Sequence, residues 1–250
     1  MNSFFWKKVY IRRVFDSEDS LPLSLLTLHL KWPRLSGRYS KLIINTLSNT
    51  DSRFLDVGAG DGKFFMSIKR SVACYVGIEP SKRQFAKATK IGDSFYMVAG
   101  TAEHLPLKDN CFGVVNFKAV LDHCLSVNDA LSEAYRVLQP SGYLFFLLTN
   151  EDAWYKRVLR TYSLKRRAQN IAHAYFFGVT DIMGLLRAHN FQTRFVKCYD
   201  YIRLPIIVEN FLYKILPRKI LTIWMDVFDK LGQVVFPLMG GTFIGFARRL

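Results

Sequence analysis

Asp56-Val57-Gly58-Ala59-Gly60-Asp61-Gly62 decides the fold. The apolar run at 54–57 reads as a strand, and residues 63–70 read as a helix. Glycines at alternate positions permit a turn in which a Cβ would clash, and they let a ligand approach the main chain. The amino end of the following helix adds unpaired N–H groups beside that turn. Strand, glycine turn and helix in this order predict a nucleotide-type ligand site at the first turn of an α/β sheet.

Strands and helices alternate outward from this point. Further strands are expected at 74–78 (closed by Glu79-Pro80), 95–98, 112–117, 143–148, 191–199 and 242–247. Helices are expected over 81–89, from Asp129 as N-cap through Leu138, over 155–167, and from Thr180 as cap through Arg187, with Asn190 in the left-handed position that ends it. Pro140-Ser141-Gly142 separates the helix after Asp129 from the fifth strand. The alternation predicts an α/β fold, a Rossmann-like doubly wound sheet that is mostly parallel. Residues 1–50 read as a basic, aromatic N-terminal cap, 51–150 as the ligand-binding half and 151–250 as the half that completes the sheet.

Composition narrows the class. Half of the 250 residues are hydrophobic and 22% are charged, which excludes a disordered chain. Lys and Arg outnumber Asp and Glu by 35 to 20, for a net charge of +15. That excess favours an anionic partner without choosing among nucleic acid, anionic lipid and acidic substrate. Cys74, Cys111, Cys124 and Cys198 have neither C-x-x-C spacing nor a histidine pair beside them, so reduced thiols are expected and no metal. Lys7, Lys8, Arg12 and Arg13 interrupt any signal-peptide core. The apolar run at 21–30 is too short to span a bilayer, and Pro237, Gly240, Gly241 and Gly245 break the uncharged stretch at 231–247. The expected location is the cytoplasm, with the inner membrane face as a peripheral alternative.

The last two predicted strands are separated by about 40 residues, where a hairpin needs two to five. This insertion, at 204–240, holds Ile220, Trp224, Val227, Phe228 and Leu231 at helical spacing, with Lys219, Asp226, Asp229 and Lys230 elsewhere on the wheel. The plainer expectation is a lid whose apolar stripe packs over the sheet. The other is a surface helix that lies on an anionic membrane together with Phe4-Phe5-Trp6-Lys7-Lys8.

The glycine turn is G-x-G-x-G preceded by Asp56, not the dinucleotide pattern G-x-G-x-x-G. A carboxylate beside the turn repels a pyrophosphate and suits a ligand with a positive centre. S-adenosylmethionine is such a ligand, with a sulfonium, an α-ammonium and no phosphate. Asp56 can help hold the ammonium, directly or through water, and Glu79 at the end of the second strand can accept both ribose hydroxyls.

Five segments then occur in order: Phe54 to Gly62 around the turn, Gly77-Ile78-Glu79-Pro80, Gly100-Thr101-Ala102-Glu103-His104-Leu105-Pro106, Leu121-Asp122-His123, and Ala134 to Gly142. On these segments residues 54–148 resemble the class I S-adenosylmethionine-dependent methyltransferases, in the branch that includes quinone-biosynthesis and small-molecule enzymes. The resemblance implies a transferase with a seven-stranded sheet whose last strand is antiparallel. It implies S-adenosylmethionine as cofactor, bound at Asp56, Gly58, Ala59, Gly60, Glu79 and Pro80. Thr101, Ala102 and Glu103 would flank the adenine, and Phe117 is grouped with the cofactor residues. Thr101 stands where the family often has an acid, and Gly113 where it usually has Asp.

Methyl transfer is an in-line displacement that depends on placing the nucleophile and excluding water. A base is needed only where the acceptor must lose a proton. His123, after the fourth strand, and His173, before Tyr175-Phe176-Phe177, are the candidates. A hydrogen-bonded structural histidine is the plainer reading of each, and Asp122 reads as a loop-orienting residue. Asn116-Phe117-Lys118-Ala119 lacks the Pro-Pro of nucleic-acid amine methyltransferases. The expected acceptor is a small molecule or a lipid-linked glycan or quinone-like compound. An RNA methyltransferase and a non-catalytic scaffold are the alternatives.

Overall fold

The computed structural model describes residues 23–47, 53–88, 94–158 and 174–250. Its centre is a seven-stranded sheet in the order β3-β2-β1-β4-β5-β7-β6. The strands are β1 (Arg53–Val57), β2 (Cys74–Glu79), β3 (Phe95–Ala99), β4 (Phe112–Lys118), β5 (Leu138–Thr149), β6 (Phe191–Tyr199) and β7 (Thr242–Arg249). β1 to β5 pair in parallel. β7 runs antiparallel between β5 and β6. The mostly parallel sheet with an antiparallel last strand is thus as expected. Because β1 sits between β2 and β4, the strand order reverses there, and the carboxyl ends of strands at such a reversal are where open α/β sheets bind ligands.

Both faces of the sheet are covered, which is why its strands read as continuous apolar runs. Leu55 and Val57 of β1 join Val115, Phe117, Leu144 and Phe146 under α4 (Val127–Val137) and α6 (Val179–Ala188). Phe54, Tyr75, Val114 and Phe145 pack on the other face with Tyr39 and Ile43 of α1 (Trp32–Leu47) and with α2 (Phe65–Ile68). A π-helical turn, Thr27–Lys31, leads into α1. Ser81 caps α3 (Lys82–Lys87) by accepting the Gln84 N–H at 3.2 Å.

Several boundaries differ from expectation for local reasons. α4 begins at Val127 because the Ser126 hydroxyl accepts the Asp129 N–H at 3.2 Å. Asp129 is therefore the third helical residue, where its charge suits the helix dipole, and not the cap. α6 starts after Gly178, whose N–H donates to the Asp181 carboxylate at 2.8 Å, so Thr180 lies inside the helix. Asn190 does end α6 in the left-handed region, at φ 60°. Pro140-Ser141-Gly142 bulges within β5: the pairing with β4 jumps from Leu138 to Tyr143, and Ser141 adopts φ 65°.

The insertion forms two helices, α7 (Ile206–Ile215) and α8 (Arg218–Val235), where one was expected. The lid with its apolar stripe turned to the sheet is not what they make. Ile220, Val227, Phe228 and Leu231 are exposed, whereas Asp229 is only 5% exposed and turns inward beside Leu221 and Met225. Cations on and just before α1 decide this orientation. Arg38 donates to Asp229 at 2.7 Å, Arg34 and Arg38 both pair with Asp226, and Lys31 pairs with Glu209 at 2.8 Å. Turning the acidic face outward would take these carboxylates away from partly buried cations, a penalty that opposes burying the aliphatic stripe instead.

Residues 1–22 and 48–50 of the expected N-terminal cap lie outside the described residues. So does most of the basic run at 155–167, of which α5 (Trp154–Val158) is described. The four cysteines are free thiols. Among the described residues no helix is long and apolar enough to cross a membrane, and no cluster of His, Cys, Asp and Glu could hold a metal.

Candidate active site

The turn after β1 is built as its glycines require. Gly58, Gly60 and Gly62 adopt φ of 71°, 59° and 74°. The N–H groups of Gly58 and Ala59 both donate to the Ile78 carbonyl, at 2.8 and 3.0 Å, which pins the turn to the end of β2. Glu79 completes the bracket. One carboxylate oxygen accepts the Gly60 N–H and the other the Ser81 N–H, each at 2.8 Å. A carboxylate can accept about four hydrogen bonds, so this geometry is compatible with ribose hydroxyls as further donors.

Two of these glycines should respond differently to substitution. A Cβ on Gly58 would lie 2.4 Å from the Cγ2 of Val120, a stiff β-branched side chain, whereas a Cβ on Gly60 meets nothing within 4 Å. Gly58→Ala therefore carries backbone strain plus a clash that displaces the loop after β4. Gly60→Ala carries only the left-handed penalty of roughly 1–2 kcal/mol. Thermal melts should show the larger loss for Gly58→Ala; equal losses would contradict the clash.

Asp56 lies beneath the turn. It was expected to help hold an ammonium, directly or through water; the structure turns its carboxylate into the packed layer under α1, on the Phe54 side of the strand, away from direct contact. Tyr75 donates its hydroxyl to one oxygen and Asn116 donates its amide to the other at 2.7 Å, while the Tyr39 hydroxyl donates to Asn116 Oδ1. Burial pushes the Asp56 pKa up, and the bonds from Tyr75 and Asn116 together with nearby Lys118 offset part of that rise. Burial, reinforced by Asp56, also raises the pKa of the Tyr39 and Tyr75 hydroxyls and keeps them protonated as donors. This network ties β1 to β2, β4 and α1. Tyr39, Tyr75 and Asn116 were not foreseen, although an Asn within the apolar run of β4 was a legible signal.

The remaining rim comes from the loops after β3 and β4. Thr101 bridges to His104, Ala102 is buried, and the Glu103 carboxylate accepts the Leu125 N–H at 2.6 Å, joining the two loops. His123 ends a short 3-10 turn, Leu121–His123, and its Nε2 lies 3.8 Å from Asp122 Oδ1. The Asp122 carbonyl accepts the N–H groups of Ala174 and Tyr175 at 2.8 and 3.1 Å, and the Tyr175 hydroxyl donates to the Leu125 carbonyl at 2.8 Å. Asp122 thus anchors the segment around Tyr175 beside His123. His173 lies outside the described residues. Pro80 is exposed next to Glu79 on the same rim. Phe117 is a correction: it is fully buried among Leu55, Val115 and Phe146 and presents no surface to a ligand.

Residues 55–146 match a family model described as a methyltransferase domain. Over that stretch the chain is similar to methyltransferase domains. The donor set at the turn, with Glu79 held across the Gly60 and Ser81 amides and open space at Gly60, is compatible with S-adenosylmethionine, the methyl donor of such domains. The chain is 32% identical over 97 residues to a malonyl-[acyl-carrier protein] O-methyltransferase of Marinomonas sp., covering 37% of this chain and 36% of the relative. It is 28% identical over 169 residues to the demethylmenaquinone methyltransferase of Chlamydia trachomatis, covering 64% of this chain and 70% of that protein. The chain thus spans little more than a third of the first relative and about two thirds of the second. An S-adenosylmethionine-dependent methyltransferase of Thermotoga maritima superposes with a TM-score of 0.59 at 19% identity, covering 98% of this chain and all of that one, which shows the shared fold.

Proposed function

We propose that the protein transfers the methyl group of S-adenosylmethionine to a small apolar acceptor, quinone-like or lipid-linked. The observation that carries this reading is Glu79, fixed across the Gly60 and Ser81 amides at the strand-order reversal, where such sheets bind ligands. The acceptor class draws its support from the likeness to the demethylmenaquinone enzyme, whose 169 residues exceed the length of the 55–146 match. When bound, S-adenosylmethionine supplies a methyl whose bond to sulfur breaks as the acceptor's new bond forms.

The chain's part is placement. Glu79 would hold the ribose, with Gly58, Ala59, Gly60 and Pro80 shaping the floor and the backbone at Thr101, Ala102 and Glu103 flanking the adenine. Asp56 would act through the turn it braces. His123, beside the Tyr175 segment, would meet the acceptor and take its proton where one must leave, with His173 as the second candidate. An imidazole ring nitrogen can accept such a proton.

Labelled methyl donor incubated with the protein and separate soluble, lipid and RNA extracts tests the reading. Label is expected in an apolar product of the lipid fraction. Label in RNA, with binding that falls steeply as salt rises, would replace this reading with an RNA methyltransferase. Absence of cofactor binding would replace it with a scaffold.

A further inference from the structure

We propose that α7 and α8 form an interfacial hairpin whose outward apolar face docks on an anionic lipid bilayer. The inference goes beyond the acceptor reading and stands on the hairpin alone. A helix on a globular protein normally turns its apolar arc to the core and its charges to water. This hairpin is oriented the other way for much of its surface. Glu209 of α7 and Asp229 of α8 are buried, and Ile207, Phe211, Ile215, Ile223, Leu231 and Val234 are exposed on other sides of the same helices. Ile207 and Val234 are each 82% exposed.

Charge selects the occupant. The three acids of the two helices, Glu209, Asp226 and Asp229, are all paired with Lys31, Arg34 and Arg38. The cations Lys214, Arg218, Lys219 and Lys230 are all exposed. Lys230 also borders an open cleft of about 350 Å³ between α1, β6 and α8, where Lys41 and Lys197 add two more cations. The outward surface therefore combines aliphatic side chains with positive charge. A second copy seated symmetrically on this face would set these cations against identical ones in a chain of net charge +15. A bilayer with acidic headgroups satisfies both features. Since no described helix is long and apolar enough to cross a membrane, the hairpin lies on the surface.

Co-sedimentation of the full chain with vesicles tests this. The protein is expected to pellet with phosphatidylglycerol–phosphatidylcholine vesicles and far less with phosphatidylcholine alone. Ile207→Ser with Val234→Ser, and separately Lys219→Glu with Lys230→Glu, should each weaken vesicle binding about tenfold or more. All four positions are exposed, so circular dichroism and S-adenosylhomocysteine binding should be unchanged, and the outcome is independent of whether the methyl-transfer reading holds. The proposal is overturned if the wild-type protein stays in the supernatant, or if neither double variant differs from it. It is equally overturned if light scattering without lipid shows a dimer that the apolar variant dissolves, or if binding appears only after residues 1–22 are deleted, which would make that segment the cover.

Discussion

Glu79→Ala is expected to weaken S-adenosylhomocysteine binding by roughly ten- to a hundredfold in isothermal calorimetry, because hydrogen bonds to a charged group contribute roughly 1.5–3 kcal/mol and 1.4 kcal/mol is a factor of ten. On the proposed binding mode the loss has three sources. The ribose loses its acceptor, and Gly60 loses the partner that holds its amide at 2.8 Å in the turn. Ser81, which caps α3, loses its amide partner as well. Glu79→Gln separates these contributions. It retains one carbonyl oxygen for one of the two amides but sets an NH₂ group against the other. Its affinity should fall between wild type and Glu79→Ala. A melting temperature recorded on each variant keeps a folding defect from being mistaken for a binding defect. Wild-type affinity in a folded Glu79→Ala protein would remove Glu79 from the cofactor site.

What the sequence disclosed depended on how local the determining physics was. Positive φ at Gly58, Gly60 and Gly62 and at Asn190 is a property of single residues, and all four could be read directly. Caps were harder because neighbouring residues compete for the same amide. Ser126 and Asp129 both carry a suitable oxygen, and the residue three positions earlier took the cap. The role of Asp56 was not local at all. Its partners Tyr75 and Asn116 lie on other strands, and Asn116 leads on to Tyr39 of α1. The two-residue period of a strand already placed Asp56 on the same face as Phe54, beneath a covering helix, and that clue was available. The hairpin shows the same limit. Periodicity divides a helix into two faces without saying which one is covered. The answer lay outside the insertion, in Lys31, Arg34 and Arg38, whose spacing sets a cationic stripe along one side of the helix that receives it.

That ionic mooring carries the largest expected effect on stability. Glu209 is buried, receives Lys31 at 2.8 Å and the Thr27 hydroxyl at 3.1 Å, and is also bonded by Ser24. Removing one partner of a buried pair costs about 3–5 kcal/mol, because the other charge stays buried. Glu209→Ala should therefore lower the melting temperature by roughly 6–20 °C, at ~2–4 °C per kcal/mol for a chain of this size. It should also open 203–240 to proteolysis before the sheet yields. Replacing both partners, Lys31→Met with Glu209→Leu, should recover only part of the loss, since Lys31 also donates to the Ile202 carbonyl at 2.8 Å and pairs with Asp200 at 3.2 Å. Acid acts on the same contact. Burial pushes the Glu209 pKa up, but Lys31, with Ser24 and Arg203, outweighs it and holds the carboxyl below its usual value. A carboxylate whose folded pKa lies below its unfolded one contributes its full stabilisation above the unfolded value and loses it as pH falls through the folded value. Wild-type protein should lose this contribution across that acidic window, and Glu209→Ala, which never had it, should approach wild type there. If the two melting temperatures instead stay equally far apart from neutral pH through the acid range, the hairpin is held to α1 by its apolar contacts, with Leu221 and Met225 in place of the ion pair as its mooring.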